Sequence, residues 1–420
     1  MTGVVVTGVG VVSPVGVGRD AFWSALLAGR SGIGPITLFD ASTFPVRIGG
    51  EVKGFVPSTL EGRYPGVSGE RDRKVPLALA AAEEAMAEAG LTPRELRHAL
   101  LFVGVGLETI GLGDLTAVGH APDFAHALVA RLGQPNGGVP LQTPLDRIAT
   151  VLGQRHGFLG GRYTNCSACA AGTQVIGEAW QLMRLGEADV ALVGGTDSML
   201  NPLGLGGFSL LRALSDENDQ PQHACRPFDA TREGTVLGEG AAFLVLERQD
   251  RAIARGAHVY AHVLGYGSSL DAFAATDPDP NGRGAAMAMR RALRSAGLRP
   301  DDIDCVNAHA TGTPKNDVVE TAAIKELLGT RAYRIPVHAV KSMTGHLIAA
   351  SGAVEAVAAV LTLARGMVPP TINLRTPDPL CDLDYVPDSP RPFAGDTVLS
   401  NSFGFGGQNA TVILGKATES

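Results

Sequence analysis

The sequence predicts an α/β protein built from two duplicated halves. It has 420 residues, 45% of them hydrophobic and 18% charged, which suits a large buried core. Short β-branched runs alternate with Ala-rich stretches along the whole chain. The β-branched runs are continuous, which is typical of strands that are covered on both faces. We therefore expect sheets between layers of helices.

The predicted elements follow from these two kinds of segment. The strands are expected at Val4–Val12, Leu101–Val105, Val190–Gly194, Ala242–Leu246 and Val412–Leu414. The helices are expected at Val75–Ala89, Gln174–Leu185, Ala285–Ala296 and Ala353–Ala364. The helical stretches are rich in Ala, which has the highest helix propensity.

An internal echo indicates the duplication. Matching segments occur in the same order in both halves, 89–93 with 296–300 and 184–186 with 364–366. In the first pair, an Ala-rich helix ends at a Gly and turns through a Pro before a strand. The break between the halves is expected near 251–258. We therefore predict two domains, residues 1–252 and residues 253–420.

The bulk properties exclude several classes of protein. A net charge of −7 without a long basic run argues against nucleic-acid binding. The sequence contains no run of 18 apolar residues, so no membrane span is predicted. The start of the chain lacks the basic region of a signal peptide. Five cysteines are an odd number, which disfavours a disulfide framework. A cytoplasmic protein is expected.

The first candidate site is the small-residue segment 165–173, which contains Cys169. Cys169 would lie between a strand and the start of a helix, where unpaired N–H groups favour a thiolate. We therefore expect its pKa to fall below the usual ~8.5. A buried structural cysteine is the alternative. Cys166 completes a C-x-x-C, but a zinc or redox site would normally need a second pair or a thioredoxin-sized unit.

Three further segments carry potential binding residues. In 307–314, His309 is followed by Thr311, Thr313 and a Gly, as in a binding loop. In 341–347, His346 precedes a helix, whose positive end keeps an imidazole neutral. The Gly-rich segment 401–409 permits close approach to a ligand, and its two Phe residues could form a movable gate. The N-terminal segment 8–12 lacks the third Gly of a dinucleotide fingerprint.

Together these motifs resemble the β-ketoacyl-[acyl-carrier-protein] synthase family. The ordered set is Cys169, His-Ala-Thr-Gly-Thr at 309–313, Lys-Ser-Met-Thr-Gly-His at 341–346 and Gly-Phe-Gly-Gly at 404–407. Further similar segments are 4–16, 226–229, 238–241 and 369–374, so the likeness spans nearly the whole chain. The resemblance implies a thiolase-like fold, with the two halves in an αβαβα arrangement of layers.

The resemblance also implies a role for each matching residue. Cys169 would be the nucleophile, with His309 and His346 as its partners. Lys341 would orient this region, and Glu320 would be structural. The backbone N–H groups of Cys169 and Phe405 would form an oxyanion hole, and Thr311 and Thr313 would bind the pantetheine arm. Phe208 and Phe405 would form a gate to the acyl pocket. The carrier protein would contact Arg73, Lys74 and Arg212.

The implied reaction is a decarboxylative Claisen condensation. An acyl group on Cys169 would be joined to malonyl-acyl-carrier-protein to give the β-ketoacyl product. This chemistry needs no metal and no organic cofactor, because the phosphopantetheine arrives on the carrier. The implied partners are the acyl carrier protein and either a second copy or a chain-length-factor-like homologue.

The pathway is less closely defined than the reaction. The Cys-His-His set is typical of elongating enzymes, and Asn316–Thr321 is closer to type II polyketide ketosynthases. We therefore expect polyketide or polyene biosynthesis, with primary fatty-acid elongation as the alternative. A non-catalytic partner subunit is disfavoured by the intact Cys169, His309 and His346. A thiolase would use different partner residues and CoA substrates.

Overall fold

The structure is a computed structural model that describes residues 3–107, 122–123, 125–127, 130 and 143–417. Its strands are β1 Val4–Ser13, β2 Gly16–Val17, β3 Gly34–Pro35, β4 Ile48–Gly49, β5 Leu100–Val105, β6 Arg162–Asn165, β7 Val190–Ser198, β8 Glu239–Arg248, β9 Ala261–Leu270, β10 Cys305–Asn307, β11 Val337–His338, β12 Met367–Val368, β13 Arg391–Pro392, β14 Thr397–Gly404 and β15 Gln408–Lys416. Its helices are α1 Arg19–Leu27, α2 Lys74–Ala89, α3 Pro93–His98, α4 Arg147–His156, α5 Ala171–Arg184, α6 Pro202–Leu210, α7 Gln249–Ala254, α8 Arg283–Ala296, α9 Asn316–Leu328, α10 Lys341–Thr344 and α11 Ser351–Arg365. Every strand and helix predicted above is present, and most are a few residues longer than predicted.

Eleven strands form one sheet with two matching sides. The order is β11-β10-β14-β15-β9-β1-β8-β7-β5-β6, with β2 beside β1. The two sides meet where Val4–Val6 of β1 runs antiparallel to Ala261–Val263 of β9. On each side the inner strands are antiparallel and the outer strands are parallel. This symmetry agrees with the predicted duplication. The exact divide at residues 252 and 253 remains a prediction, and it falls within α7.

The helices form three layers around the sheet. The central layer contains α5 and α11, which contact each other and lie against strands of both halves. On the outer faces, α2 packs on β1, β8 and β7, and α8 packs on β9 and β15. Each outer helix has its own apolar cluster. Each side of the sheet lies between the central layer and one outer helix and so forms its own β layer, which gives the order αβαβα, as expected.

The central helix α11 is unusually apolar. Among the described residues, Ile348–Arg365 is the one helical stretch with the length and composition to cross a membrane. However, 89% of it is buried inside the protein. Neighbouring helices and strands already cover this surface, so we interpret it as a core helix.

Candidate active site

The candidate nucleophile lies on a tight turn between β6 and α5. Cys169 is part of the short 3-10 turn Ala168–Ala170, which leads into α5. Ala168 has a φ of 51°, a left-handed conformation that is uncommon for a residue with a side chain. This turn places the thiol at the bottom of a cavity of about 370 Å³. Only 3% of Cys169 is exposed, so a substrate has to enter the cavity to reach it.

His346 directly contacts the thiol. Its Nε2 lies 3.1 Å from the Cys169 sulfur. Its Nδ1 accepts a hydrogen bond from the backbone N–H of Ile348 at 3.3 Å and lies 2.9 Å from the Ser351 hydroxyl. Since a neutral imidazole that accepts at Nδ1 carries its proton on Nε2, the N–H of His346 points into the site.

His309 presents its Nε2 in the same way. The Lys341 ammonium lies 3.2 Å from the His309 Nδ1 and donates to it. Lys341 is itself held by an ion pair with Glu355, and both side chains are buried. The two imidazole rings are 5.3 Å apart at their centroids. The site therefore offers two N–H donors beside one sulfur.

Burial and the Lys341 charge keep both histidines neutral. They hold the pKa of His309 and of His346 well below the usual range. The neutral state expected for His346 is therefore present, although its main cause is burial.

The expected low pKa of Cys169 is wrong. Burial raises the pKa of this thiol to about 11, because a thiolate would lose its hydration in the interior. The Lys341 charge and the backbone N–H groups of Phe405 and Cys169 oppose that rise. These two N–H groups hydrogen-bond the sulfur, and their role as an oxyanion hole remains a prediction. The sequence showed the helix start but not how deeply it is buried.

Glu320 holds the loop that carries His309. Its carboxylate accepts the backbone N–H groups of His309 and Ala310, both at 2.8 Å. It is fully buried, and burial raises its pKa to about 7. Glu320 lies behind the backbone and contacts the loop rather than the cavity, which agrees with the expected structural role.

The remaining polar residues line the cavity wall. Thr311 and Thr313 face it with their hydroxyls 2.9 Å apart. Arg232 fixes this wall by donating to the carbonyls of Thr313 and Pro314. Two neighbouring hydroxyls on a rigid wall can bind an extended polar arm.

The two phenylalanines of the expected gate are in contact. Phe208, on α6, and Phe405 stack with ring centroids 6.0 Å apart and an angle of 25° between their planes. Both line the cavity that leads to Cys169. The adjacent Gly406 has a φ of 77°, a conformation that glycine adopts without strain. The loop therefore places the Phe405 ring at the entrance of the cavity.

The structure corrects one of the three expected carrier contacts, Lys74. Lys74 is only 1% exposed and forms an ion pair with Asp72, so it cannot meet a partner at the surface. Arg73 donates to both oxygens of Glu239, and 27% of its side chain stays exposed, so its contact with the carrier remains a prediction. Arg212 alone is exposed and lines the cavity entrance. Sequence position suggested a basic patch, whereas tertiary packing turns the start of α2 inwards.

The atom types of the site also match a metal centre. The ligand atoms of Cys169, His309 and His346 all lie within 4.8 Å of one another. However, the Lys341 ammonium contacts His309, and its positive charge opposes a cation at this point. Both Nδ1 atoms accept hydrogen bonds, which leaves the protonated Nε2 atoms facing the cavity. The residues fit a hydrogen-bonding role better than metal binding.

Sequence reasoning missed three residues that shape the site. Ser351 and Glu355 lie on α11 and orient His346 and Lys341. Asp197, at the end of β7, is fully buried and accepts the N–H of Ala349. The sequence could have pointed to these residues only because each is polar or charged within an otherwise apolar segment.

Comparison with known proteins identifies the family. Residues 1–252 match the sequence model described as "Beta-ketoacyl synthase, N-terminal domain", and residues 260–375 match "Beta-ketoacyl synthase, C-terminal domain". The chain is 44% identical to "3-oxoacyl-[acyl-carrier-protein] synthase 2" of Synechocystis sp. over 98% of each chain. It is 40% identical to "Tetracenomycin polyketide synthase ketoacyl synthase alpha subunit" of Streptomyces glaucescens, over 99% of this chain and 97% of the relative.

Solved structures agree with these sequence matches. "The ishigamide ketosynthase/chain length factor" superimposes with a TM-score of 0.87 and 37% identity, over 99% of this chain and 100% of that one. A type II polyketide acyl-carrier protein in complex with its ketosynthase gives a TM-score of 0.84 and 32% identity, over 99% and 100%. The family models together cover most of the chain, and the cavity brings their Cys and His motifs together. The chain belongs to the beta-ketoacyl synthase family.

Proposed function

We propose that this protein is an acyltransferase that condenses an acyl group on Cys169 with malonyl-acyl-carrier-protein. The observation that carries the proposal is the convergence of one thiol and two neutral, donating imidazoles, with the His346 Nε2 at 3.1 Å from the sulfur. The two backbone N–H groups of Phe405 and Cys169 face the same sulfur. Such an arrangement suits both thioester attack and stabilisation of an enolate.

The first step is transfer of the acyl group. The Cys169 sulfur attacks the carbonyl of the incoming thioester, and the oxyanion is bound by the N–H groups of Cys169 and Phe405. The carbon–sulfur bond to the carrier then breaks. The proton of the Cys169 thiol passes to the departing pantetheine thiolate. The acyl group thus moves to the Cys169 sulfur and the proton to the pantetheine sulfur.

The second step is decarboxylation of the malonyl unit. The arm of the second carrier lies along Thr311 and Thr313, which places the malonyl carbonyl near the two imidazoles. The bond to the carboxylate breaks, CO2 leaves and the electron pair forms an enolate. Its oxygen accepts the Nε2–H groups of His309 and His346.

The third step forms the new carbon–carbon bond. The enolate carbon attacks the acyl carbonyl on Cys169, and the same two backbone N–H groups bind the oxyanion. Collapse expels the Cys169 thiolate and gives the β-ketoacyl carrier. Because burial raises the pKa of this thiol to about 11, the thiolate takes up a proton at neutral pH and restores the starting state.

Type II polyketide or polyene biosynthesis is the proposed pathway. The polyketide relatives support it, as does the segment Asn316–Thr321, which is closer to type II polyketide ketosynthases. Elongation of primary fatty acids is the second candidate, favoured by the 44% identity to a 3-oxoacyl-[acyl-carrier-protein] synthase 2. A competition between saturated and polyunsaturated acyl carriers, read by the acyl mass found on Cys169, separates the two.

We further propose the conditions under which the enzyme works. It acts in the cytoplasm on carrier-bound substrates, and it needs neither a metal nor an organic cofactor of its own. It pairs with a second copy or with a chain-length-factor-like homologue, because a relative of this size is described as a ketosynthase/chain length factor. Arg212, which is exposed at the entrance, and Arg73, which is partly exposed, remain the proposed carrier contacts.

The proposed reaction is tested with purified protein, an acyl carrier and malonyl carrier. Mass spectrometry of the carrier should show the β-ketoacyl product, and released CO2 should match it in amount. Product that forms equally well with Cys169→Ala would contradict the role of the thiol. Conversion of free acyl-CoA alone, without a carrier, would favour thiolase chemistry.

A further inference from the structure

Lys74 is a buried cation at the start of α2. Only 1% of it is exposed, and its ammonium lies 2.8 Å from the Asp72 carboxylate. It also donates to the carbonyl of Leu107 at 2.6 Å. A buried charge loses its hydration and needs partners that compensate. A leucine would fill the same space without that cost, so the charge itself requires an explanation.

Asp197 is the second buried charge near this point. It is 0% exposed, and its two oxygens accept the N–H groups of Ser198 at 2.9 Å and Ala349 at 3.2 Å. The Lys74 charge is the largest influence that opposes the effect of burial on this carboxyl. A Cβ at Gly106 would lie 2.1 Å from Asp197, so the chain before Leu107 packs directly on the carboxylate. We call Asp72, Lys74 and Asp197 the buried charge cluster.

The buried charge cluster contacts two turns that flank the reacting groups. One is Ile348–Ala350, which holds Ala349 and whose Ile348 N–H orients His346. The other is the Gly106–Leu107 segment, whose Gly106 carbonyl accepts the thiol of Cys166, three residues before Cys169. The cluster is thus connected to Cys169 through the Gly106–Leu107 segment and to His346 through the Ile348–Ala350 turn.

We propose that Lys74 is a positioning residue for the Cys169–His346 pair, acting through Asp197 and the two turns that the buried charge cluster holds. The proposal rests on the function proposed for Cys169. Lys74 favours the charged form of Asp197, and Asp197 accepts the N–H of Ala349 and so anchors the turn before α11. The anchored turn fixes the direction of the His346 Nε2–H.

The charges around the cluster define how it responds to pH. Burial raises the pKa of Asp197 to about 7, and Lys74 holds it from rising further. Asp197 in turn contributes to the raised pKa of Cys169, against the opposing charge of Lys341. Glu239, paired with Arg73, faces the same region from β8 through Ser198. Removing the Lys74 charge should therefore keep Asp197 protonated to higher pH and ease ionisation of Cys169.

The test measures thiol reactivity in the full-length protein. Iodoacetamide labelling of Cys169 is followed against pH by peptide fragmentation, which separates it from Cys166. For Lys74→Met we expect the labelling profile to shift to lower pH, while acyl transfer from a carrier falls about tenfold or more because His346 is no longer held. Lys74→Arg should restore the profile. Lys325→Met, which removes a surface ion pair on α9, is the matched control and should change neither.

A second variant tests the route through Asp197. Asp197→Asn should shift the labelling profile in the same direction, and Lys74→Met should cause no further shift in that background. Independent, additive shifts would overturn the proposal, as would an unchanged profile in folded Lys74→Met. If Lys74→Met does not fold, an unchanged profile in Asp197→Asn overturns it. Labelling needs no substrate, so loss of acyl transfer in the parent protein would count against the proposed function alone.

Discussion

At the scale of single residues, the main physical question is how a thiol with a raised pKa acts as a nucleophile. Cys169 is buried and neutral in the resting site, yet Nε2–H of His346 and two backbone N–H groups point at its sulfur. These donors are in place before charge develops, which is the condition for electrostatic stabilisation of a transition state. The site is arranged for charge that appears during the reaction.

The pH dependence of Cys169 follows from its pKa of about 11. Below that value the thiolate fraction rises about tenfold per pH unit, so labelling by iodoacetamide should accelerate about a hundredfold between pH 7 and 9. Cys166 is exposed and should also be labelled. A labelling rate for Cys169 that is flat from pH 7 upwards would contradict the raised pKa.

Replacing the thiol by an amide separates the two half-reactions. Cys169→Gln should abolish condensation, because no acyl thioester can form. It should preserve decarboxylation of malonyl carrier, since His309 and His346 still supply their Nε2–H donors. Released CO2 and β-ketoacyl product are measured in parallel. Loss of decarboxylation in a folded Cys169→Gln protein would argue against the roles of both histidines.

The gate is tested at Phe405. Phe405→Ala removes the ring that stacks on Phe208 but keeps the backbone N–H of the oxyanion hole. Decarboxylation of malonyl carrier without a starter should rise relative to condensation, because the ring no longer excludes malonyl before acylation. Phe208→Ala is the matched control for loss of the stack without change to the loop. Equal decreases in both rates would make Phe405 a packing residue.

At the scale of elements, α11 links the core to the site. Its first turns carry Ser351 and Glu355, which hold His346 and Lys341, while the rest of the helix is buried among apolar side chains. The sequence predicted this helix from Ala353, two residues later than observed. It missed the site role of the first turn because polar residues at a helix start also serve as ordinary caps.

The Lys341–Glu355 pair yields a prediction about stability. Glu355→Ala should lower the free energy of unfolding by about 3–5 kcal/mol, because it leaves a buried ammonium without its carboxylate. Lys341→Met combined with Glu355→Met should lose less, since no unpaired charge remains. Denaturant unfolding of the two variants measures the difference. A smaller loss for Glu355→Ala than for the double variant would contradict the buried pair.

Strands show the same limit of sequence reasoning. The prediction ended this strand at Gly194, before the polar residues Thr196, Asp197 and Ser198. In the structure these residues continue the strand and are buried, since they bond to neighbouring segments around the site. Apolar runs therefore identified the core part of each strand but not the polar residues that continue β7 towards the active site. The motifs of Cys169, His309 and His346 identified that centre, and their depth of burial could not be read from them.

At the scale of the whole molecule, the sheet has one exposed edge that matters. Among the described strands, the order ends at β11, which is buried, and at β6, whose Tyr163 is 45% exposed. The apolar run Val190–Val193 of β7 does not form an edge, because β7 lies between β5 and β8. The edge that requires a partner is thus β6.

We expect a dimer that covers this edge. Light scattering at micromolar concentration should give about twice the 43.4 kDa of one chain. A heterodimer with a homologue of similar size would give nearly the same mass, and denaturing electrophoresis of co-purified chains distinguishes them. A stable monomer that no homologue converts to a dimer would contradict this expectation.

The central claim is that Cys169 carries the acyl group and passes it to a malonyl-derived carbon. The most direct measurement is peptide-resolved mass spectrometry of the protein incubated with an acyl carrier, before and after addition of malonyl carrier. The claim predicts one acyl mass on Cys169 that disappears as β-ketoacyl carrier forms in equal amount. An acyl mass on Cys166 or on another residue, or an adduct on Cys169 that malonyl carrier does not discharge, would contradict it.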